Sequence, residues 1–432
     1  MRACRMIAAL ALLVMLLTAA CPAAAYTARH PLLTPVEVTP AETQDEYTNI
    51  LLLGLDYGPA GRRGSHNKAR LQECHADAVL LVSLNRTKNT VNLVSLPRDT
   101  LTYVPGVRGL YKLNAAVNCA DTLEEGFERA CDAASWLLGG VEVSLYCAVD
   151  MQTMEALGDA IGGVEFEMDM IYTGHHGRVY QRGWQTLDGE GIMDYLRARR
   201  NATIDGTDIG RTGRHRELML AIFKKIRGNP QLMGKILPLI TDGDSGIMTN
   251  IGFGEITSLV SLALTFRPEE IGSYVMTGPY GTELDGWNFT FTDQQARIDL
   301  IRALFGVEAQ ELPHVSRPFC RWLMETGYLT LCHIRAAQQA ADYAQGCALN
   351  EEQQAQLDEL RTLIDLTCER FDIAAEAMGG TENSAMGSAR LKMRETAKAL
   401  LESLGYDEPV RWGRGAAWYE DTRINEYVFQ WQ

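Results

Sequence analysis

Several motifs that would assign a function at once are missing from this 432-residue chain. The absence of a C-x-x-C pair argues against a structural zinc site. The absence of a G-x-S-x-G or P-loop motif removes two common catalytic signatures. Basic residues are also scarce, 40 against 55 acidic, and the formal net charge is −15. Because such a charge repels nucleic acid, a nucleic-acid partner is not expected, and the chain is not expected to be a transcription factor.

Long apolar runs are absent too, with one exception at the N-terminus. Arg2 and Arg5 precede an almost wholly apolar stretch over residues 6–20, and an A-x-A site stands directly before Tyr26. This pattern is typical of an export signal. It predicts a signal peptide over residues 1–25.

Two other fates of this segment stay open. A retained membrane anchor is the main alternative, because the stretch approaches the ~20 residues that span a bilayer. Lipidation at Cys21 is the third. All three place residues 26–432 outside the cytoplasm, and residues 26–46 are predicted to be a polar linker.

Eight of the ten cysteines lie beyond the signal. An oxidising compartment permits disulfides, and Cys119 with Cys131, or Cys332 with Cys347, would form local pairs. Buried thiols are an equally good interpretation, so the sequence leaves the pairing open.

Short apolar runs follow the linker. "NILLLGLD" (49–56), "AVLLVSLN" (78–85) and "VNLVSLP" (91–97) are typical of strands buried on both faces. The intervening "RTKN" is short enough to join the second and third strands in an antiparallel hairpin.

Helices and strands then alternate. A helix over 122–138, a strand over 143–150, a helix that ends at Gly162 and the strand "VEFEMD" (164–169) are predicted in turn. This alternation predicts an α/β domain over residues 47–307, a three-layer α/β/α fold with a central mixed sheet.

The last part of the chain, residues 308–432, changes to a helical pattern. Asn350 and Gln353 suit a capping box, and Gly405 is a stop signal. Three helices are predicted, over 318–345, 351–377 and 384–404. Apolar residues at helical spacing predict their shared core: Leu357, Leu360, Ile364 and Phe371. The final "AAWYEDTRINEYVFQWQ" has β-type residues and is predicted to pair with a strand.

Charged residues stand where the predicted strands end. In "LVSLPRDTLTYV", Pro97 cannot donate to a sheet ladder, so Arg98 and Asp99 lie at a strand terminus. Asp56 closes the first strand and Asp77 directly precedes the second. Strand ends are where α/β sheets commonly build sites.

A basic cluster follows in residues 197–215, with five arginines and His215 within 19 residues. Arg211, Arg214 and His215 share one face of a predicted helix. Arginine binds phosphate oxygens bidentately, and carboxylates placed among arginines suit Mg²⁺ with substrate phosphates. A solvated helix end that pairs with neighbouring acids is the plainer interpretation of the same pattern.

Seven collinear segments together resemble one family, the LytR-CpsA-Psr cell-wall proteins. They are "ILLLGLD", "HADAVLLVSLN", "VNLVSLPRDTLTYVPG", "KLNAA", "ALGDAIGGVEFEMD", "TLDGEGIMDYLRAR" and "DIGRTGRHRELM". Their order and spacing match from about residue 47 to 227. The C-terminal region lies outside the resemblance.

The resemblance implies an α/β/α fold that holds a polyprenyl pyrophosphate in an apolar pocket. It also implies a Mg²⁺-dependent phosphotransferase on the outer face of a bacterial membrane or in the cell wall. Such an enzyme moves a glycopolymer from an undecaprenyl-pyrophosphate carrier to peptidoglycan. A pyrophosphatase side activity fits the same chemistry. The expected partners are this lipid-linked polymer, peptidoglycan and the membrane surface.

The resemblance also assigns roles by position. Asp77 and Asp99 match the metal carboxylates. Catalysis is assigned to Asp77, Arg98, Asp99 and Arg199. Pyrophosphate binding is assigned to Asp56, Arg98, Lys112, Arg197, Arg199, Asp208, Arg211 and Arg214. Either Asp77 or Asp99 is a candidate to deprotonate the acceptor hydroxyl, and the sequence does not decide between them.

Three departures from the family pattern raise a second hypothesis. His75 in "HAD" stands where an arginine is usual, and His215 replaces a glutamine. The loop 57–74 is long and basic, so the lost arginine is either missing or replaced by His75 or by Arg70 of this loop. A non-catalytic protein that keeps the fold and binds polyprenyl phosphate or the cell wall would tolerate these changes.

Overall fold

The structure is a computed structural model. It describes residues 46–56, 74–104, 110–168, 171–174, 176–198, 208–241, 246–263, 271–278, 282–284, 287–312 and 315–413. The predicted signal and linker, most of the basic loop 57–74 and the β-type tail lie outside these residues. The described chain divides into two compact units, with the boundary between Tyr328 and Leu329.

The strands of the first unit are β1 Tyr47–Asp56, β2 His75–Asn85, β3 Thr90–Ser95, β4 Leu101–Tyr103, β5 Leu110–Lys112, β6 Leu145–Asp150, β7 Val164–Met168, β8 Tyr172–Thr173, β9 Val179–Tyr180, β10 Gly183–Leu187, β11 Ile247–Thr249, β12 Ile271–Val275, β13 Thr282–Leu284 and β14 Trp287–Phe289. Its helices are α1 Leu123–Leu137, α2 Met151–Ala160, α3 Gly189–Arg197, α4 Asp208–Gly228, α5 Met233–Thr241, α6 Phe253–Ala263, α7 Gln294–Phe305 and α8 Arg317–Trp322. The second unit is formed by α9 Tyr328–Gln345, which begins at the boundary, α10 Glu351–Ala377 and α11 Gly380–Ser403.

A mixed six-stranded sheet in the order β11-β6-β1-β2-β3-β12 forms the centre of the first unit. β2 is antiparallel to β1 and β3, while β6 is parallel to β1. Successive residues of β6 face opposite sides: Tyr146 packs on Phe127 of α1, and Cys147 lines a cavity that α4 also borders. Helices therefore cover both faces, and the predicted three-layer fold with a mixed sheet is confirmed.

One strand was assigned to the wrong sheet. β7 was predicted to belong to the central sheet but pairs with β10 in a separate two-stranded sheet. Its residues alternate between buried and exposed, as expected for a strand that is covered on one face only. Central strands such as β1 are instead apolar on both faces.

The predicted helices over 351–377 and 384–404 are confirmed as α10 and α11, whereas the predicted helix over 318–345 is divided into α8, a π-helical segment over Leu323–Gly327 and α9. Asn350 and Gln353 form the capping box, and Leu357, Leu360, Ile364 and Phe371 are buried. α11 begins at Gly380, four residues before the predicted start. Its first buried residue is Met386, so the first turn offers no apolar periodicity from which a helix could be predicted.

Neither local disulfide is formed. Cys119, Cys131, Cys332 and Cys347 are thiols, which is the alternative that the sequence left open. Within the described ranges, no helix combines the length and the apolar character needed to cross a bilayer.

Gly126 of α1 gives a test of helix packing. A Cβ there would lie 2.1 Å from the carbonyl oxygen of Val117, so Gly126→Ala should lower the free energy of unfolding by about 1–3 kcal/mol through overpacking. A Cβ at Gly387 of α11 would meet nothing within 4 Å. Gly387→Ala should therefore stabilise the protein by roughly 0.5–1 kcal/mol through helix propensity. Urea unfolding measures the change in unfolding free energy for both variants. Changes of the same sign would contradict the packing described for Gly126 and Gly387.

His333 of α9 gives a pH-dependence test. Burial, followed by the nearby Arg390, Arg394 and Lys398, lowers the pKa of this imidazole from 6.5 to about 4. Between these pH values the unfolded state binds the proton and the folded state does not. The contribution of the neutral His333 to the free energy of unfolding is thus fully present above pH 6.5. It falls towards pH 4, by up to about 3 kcal/mol.

This loss is measured as the difference in unfolding free energy between the wild type and His333→Leu, from pH 7 to pH 4. Lys398→Gln should make the loss smaller, because removing one cation raises the histidine pKa. A wild-type curve parallel to that of His333→Leu would contradict the assignment.

Candidate active site

The charged residues lie at one edge of the central sheet because of the strand directions. β1 ends at this edge with Asp56, and the antiparallel β2 begins there, with Asp56 opposite His75. β3 runs in the direction of β1 and ends one turn before Arg98. The strand ends therefore bring Asp56, Asp77, Arg98 and Asp99 to a common edge, as predicted.

Backbone hydrogen bonds from distant segments fix the turn that carries Arg98 and Asp99. The amide of Asn114 donates to the Arg98 carbonyl at 2.9 Å, and the amide of Thr290 donates to the Asp99 carbonyl at 2.9 Å. Thr100 closes the turn by donating to Pro97 at 3.0 Å. Both side chains thus project from a backbone that is held before any ligand binds.

Four side chains at this edge form a chain of ion pairs. The Arg98 guanidinium donates to the Asp77 carboxylate, and its Nε lies 3.6 Å from Asp99 Oδ2. Lys112 Nζ donates to Asp99 Oδ1 at 3.1 Å and lies 5.2 Å from the ring centre of Phe289. These side chains are only 10–18% exposed. Because little water reaches them, their mutual pairing matters more than that of surface ion pairs.

An apolar cavity of about 510 Å³ opens beside these charges. Its polar residues are Asp56, Asp77, Asp150, Arg197 and His215. Its walls are aliphatic side chains and methionines from β1, β2, β6, α2, α3, α4 and α5. A second cavity of about 350 Å³ continues along the sheet. The two share the lining residues Leu52, Leu80, Cys147 and Met219.

The predicted basic cluster divides between the cavity and the protein interior. Arg197 lines the cavity and contacts the Met151 sulfur at 3.1 Å. Arg214 is only 4% exposed and donates from Nη2 to the Ala198 carbonyl at 2.9 Å. It is not among the lining residues of either described cavity. The structure thus places Arg214 at the junction of α3 and α4.

The other residues of this cluster are only partly described. Asp208 and Arg211 lie in the first turn of α4, and their side chains are outside the described part. Arg199 lies outside the described residues altogether. His215 lines the cavity, and its Nε2 is 2.9 Å from the Leu196 carbonyl oxygen. Arg214 and His215 together join the start of α4 to the end of α3.

His75, which stands where the family resemblance expects an arginine, also lies at this edge. Its Nε2 is 3.3 Å from the Asn118 amide nitrogen. Its position opposite Asp56 places an imidazole rather than a guanidinium next to the charged edge.

Sequence reasoning missed Asp150. This residue ends β6 and lines the cavity, and its carboxylate accepts from the Thr153 amide at 2.8 Å, which caps α2. The signal was present, since "AVD" ends β6 as "GLD" ends the parallel strand β1.

The carboxylates suit a hard cation by their chemistry. Among the described residues, no group of three or more His, Cys, Asp or Glu side chains is arranged to hold a metal. Asp77 and Asp99 offer two carboxylates bridged by Arg98. Mg²⁺ commonly binds through one or two carboxylates and completes its shell with water and substrate phosphates, so this donor pair fits it.

The fold and the cavity define a class of protein: an α/β/α domain whose central sheet ends in paired charges beside an apolar pocket. The chain belongs to the LytR_cpsA_psr family, whose model matches residues 14–304. The predicted family resemblance is thereby confirmed.

Curated relatives include teichoic acid transferases. The polyisoprenyl-teichoic acid–peptidoglycan teichoic acid transferase TagU of Bacillus mycoides is 30% identical over 185 residues, which is 42% of this chain and 54% of the relative. TagU of Bacillus subtilis is 24% identical over 258 residues, 59% of this chain and 76% of the relative. The chain thus spans about half the length of the first of these relatives.

Among solved structures, protein gbs0355 from Streptococcus agalactiae is similar with a TM-score of 0.51 at 24% identity. The match covers 62% of this chain and 91% of that one. This similarity shows a shared fold.

Arg214 gives a test of the α3–α4 junction. Arg214→Met should lower the free energy of unfolding by about 1–3 kcal/mol, because a buried carbonyl loses its charged donor. Arg302→Gln is the matched control. It removes an exposed arginine that pairs with Glu308 at 2.7 Å, and exposed pairs contribute little. Equal shifts of the urea midpoint in the two variants would show that Arg214 does not hold the junction.

Proposed function

We propose that the first unit is an extracytoplasmic phosphotransferase that moves a glycopolymer from an undecaprenyl-pyrophosphate carrier to peptidoglycan. One observation supports this proposal most directly: the ion-paired strand ends lie beside an apolar cavity. An amphiphile with a diphosphate head and a long hydrocarbon chain matches both parts. The names of the TagU relatives support a teichoic acid or a similar capsule polymer as the glycopolymer.

The apolar walls would hold the prenyl chain, and the charged edge would hold the diphosphate. Arg98, Lys112 and Arg197 are the cations placed for phosphate oxygens. Arginine's planar fork suits two phosphate oxygens at once. A diphosphate that takes the Arg98 guanidinium would release carboxylate oxygens of Asp77 and Asp99.

Charge counting supports a divalent cation at this edge. Among the residues that the structure describes there, the carboxylates are Asp56, Asp77, Asp99 and Asp150, and the cations are Arg98, Lys112 and Arg197. A diphosphate would add further negative charge to this set. Mg²⁺ held by Asp77 and Asp99 would neutralise phosphate charge.

The transfer step follows from these positions. An acceptor hydroxyl attacks the phosphorus that bears the glycopolymer, the new O–P bond forms, and the bridging P–O bond breaks to release prenyl phosphate. Arg98 and Arg197 would stabilise the charge on the leaving phosphate. Asp77 lines the cavity, which favours it over Asp99 as the acceptor of the hydroxyl proton, a role that would take the place of its bond to the cation. Water in place of the acceptor would give the pyrophosphatase side reaction.

This function requires a place outside the cytoplasm, since the acceptor is the cell wall. The export-type N-terminus supports that location, either at the extracytoplasmic face of the cell membrane or released into the wall. The alternative is a non-catalytic protein that binds the same lipid or the wall. His75 favours this alternative, because its position carries no guanidinium.

Magnesium-dependent release of prenyl phosphate separates the two functions. With a prenyl-diphosphate-linked sugar and the full chain, we expect turnover that EDTA abolishes. Asp99→Asn and Arg98→Gln should lower kcat by roughly 10²–10³ through lost transition-state stabilisation. Arg302→Gln, a control on the exposed surface of α7, should retain wild-type turnover. Tight lipid binding by the wild type without turnover would establish the non-catalytic function instead.

A further inference from the structure

The small sheet formed by β7 and β10 has one buried and one exposed face. Val164, Phe166 and Met168 of β7 belong to the core, and Phe166 packs on Tyr195 at 4.9 Å. The opposite face is exposed and carries Glu165 and Glu167. β10 adds Trp184 and Thr186 to this face.

Trp184 is 71% exposed, the largest value among the exposed large hydrophobic residues of the described chain. Burying an indole is strongly favourable, so a tryptophan held on a fixed strand in water indicates a contact surface. Two other tryptophans are packed against the protein. Trp322 is buried, and Trp412 packs edge-on against His333.

The register places polar groups around the indole. Trp184 lies opposite Glu167, and Thr186 lies opposite Glu165. Directly opposed residues on one face have Cβ atoms about 5 Å apart. The face therefore presents a flat aromatic ring, two carboxylates and a hydroxyl within the dimensions of one or two sugar rings.

This chemistry selects among partners. The two carboxylates disfavour anionic lipid headgroups and phosphate-rich polymers, because like charges repel. They are good acceptors for sugar hydroxyls, since hydrogen bonds to a charged acceptor are strong. The indole offers an apolar face to the C–H groups of a pyranose ring. An uncharged glycan strand fits all of these features.

We propose that Trp184, Glu167, Glu165 and Thr186 form a docking surface for the glycan strand of the peptidoglycan acceptor. The inference rests on the proposed function and names its acceptor side. β10 leads into α3, which ends at Arg197 in the cavity wall. The chain from Trp184 to Arg197 spans at most about 30 Å, which is within the length of a glycan strand of several sugars.

Binding of the full chain to purified sacculi stripped of teichoic acid tests the surface. Trp184→Ala should weaken binding roughly tenfold or more, as for a truncated aromatic hot spot, and Glu167→Gln should weaken it less. Val179→Ala is the matched control, since Val179 is also exposed, at 51%. It lies on β9, which precedes β10 in the sequence and belongs to a different sheet. All three changes are on the surface, so circular dichroism should show an unchanged fold.

Two outcomes would overturn the proposal. The first is that Trp184→Ala leaves sacculus binding unchanged, or that Val179→Ala weakens this binding as much as Trp184→Ala does. The other is loss of binding to phosphatidylglycerol vesicles by Trp184→Ala with sacculus binding intact, which would assign the face to a membrane. Release of prenyl phosphate to water is measured separately and should stay at the wild-type rate in Trp184→Ala. Failure of that reaction in the wild type would count against the transferase and not against the docking surface.

Discussion

The guanidinium of Arg98 between the carboxylates of Asp77 and Asp99 is the interaction on which the rest of the site depends. Two like charges at one poorly hydrated edge repel each other unless a cation lies between them. Arg98 supplies this cation and Lys112 adds a second on Asp99. The backbone that carries Arg98 and Asp99 is held by amides from Asn114 and Thr290. The charges are thus positioned by the fold and do not depend on a ligand for their arrangement.

The same sheet produces both the apolar cavity and the charged edge. Along β1, β2 and β3, residues such as Leu52, Leu80 and Leu93 line the two adjoining apolar cavities, and Leu52 and Leu80 are shared by both. At the strand ends, where the ladder stops, the residue type changes from aliphatic to charged. The apolar cavity and the charged edge are therefore continuous, because they are the face and the edge of one sheet. A diphosphate lipid needs this continuity, since its head and chain are covalently joined.

Local patterns explain which parts of the fold were predictable. The strands β1, β2, β3 and β6, the hairpin and the capping box of α10 each depend on neighbouring residues, and they were predicted from the sequence. The edge strands β11 and β12 of the central sheet were not predicted. The sheet membership of β7 depends on pairing with β10, which no local pattern encodes. The ends of β1 and β3 also predicted the charged edge correctly, because Pro97 and the aspartates mark where pairing stops.

The surroundings of the arginines in the basic cluster could not be predicted from the sequence. Arg197 and Arg214 belong to the same basic cluster of the sequence, and both were predicted to bind pyrophosphate. The structure places Arg197 in the cavity wall and Arg214 inside the α3–α4 junction, so a phosphate role for Arg214 stays a prediction. Helical spacing predicts which residues share a face. It does not predict whether that face meets solvent, a cavity or another helix, because the packing of α3 against α4 decides this.

Charge also constrains how the proposed substrate gains its affinity. The chain carries a net −15, and among the described residues of the edge the carboxylates outnumber the cations. The net charge of the chain disfavours long-range attraction of a diphosphate, and Arg98 would have to exchange its carboxylate partners to bind one. Burial of the prenyl chain contributes about 0.8 kcal/mol per CH₂, so a few isoprenoid units supply more than the exchange of one ion pair requires. For the proposed substrate, the apolar cavity would thus provide the binding energy and the charged edge would act on the phosphate, which is how remote binding energy supports catalysis.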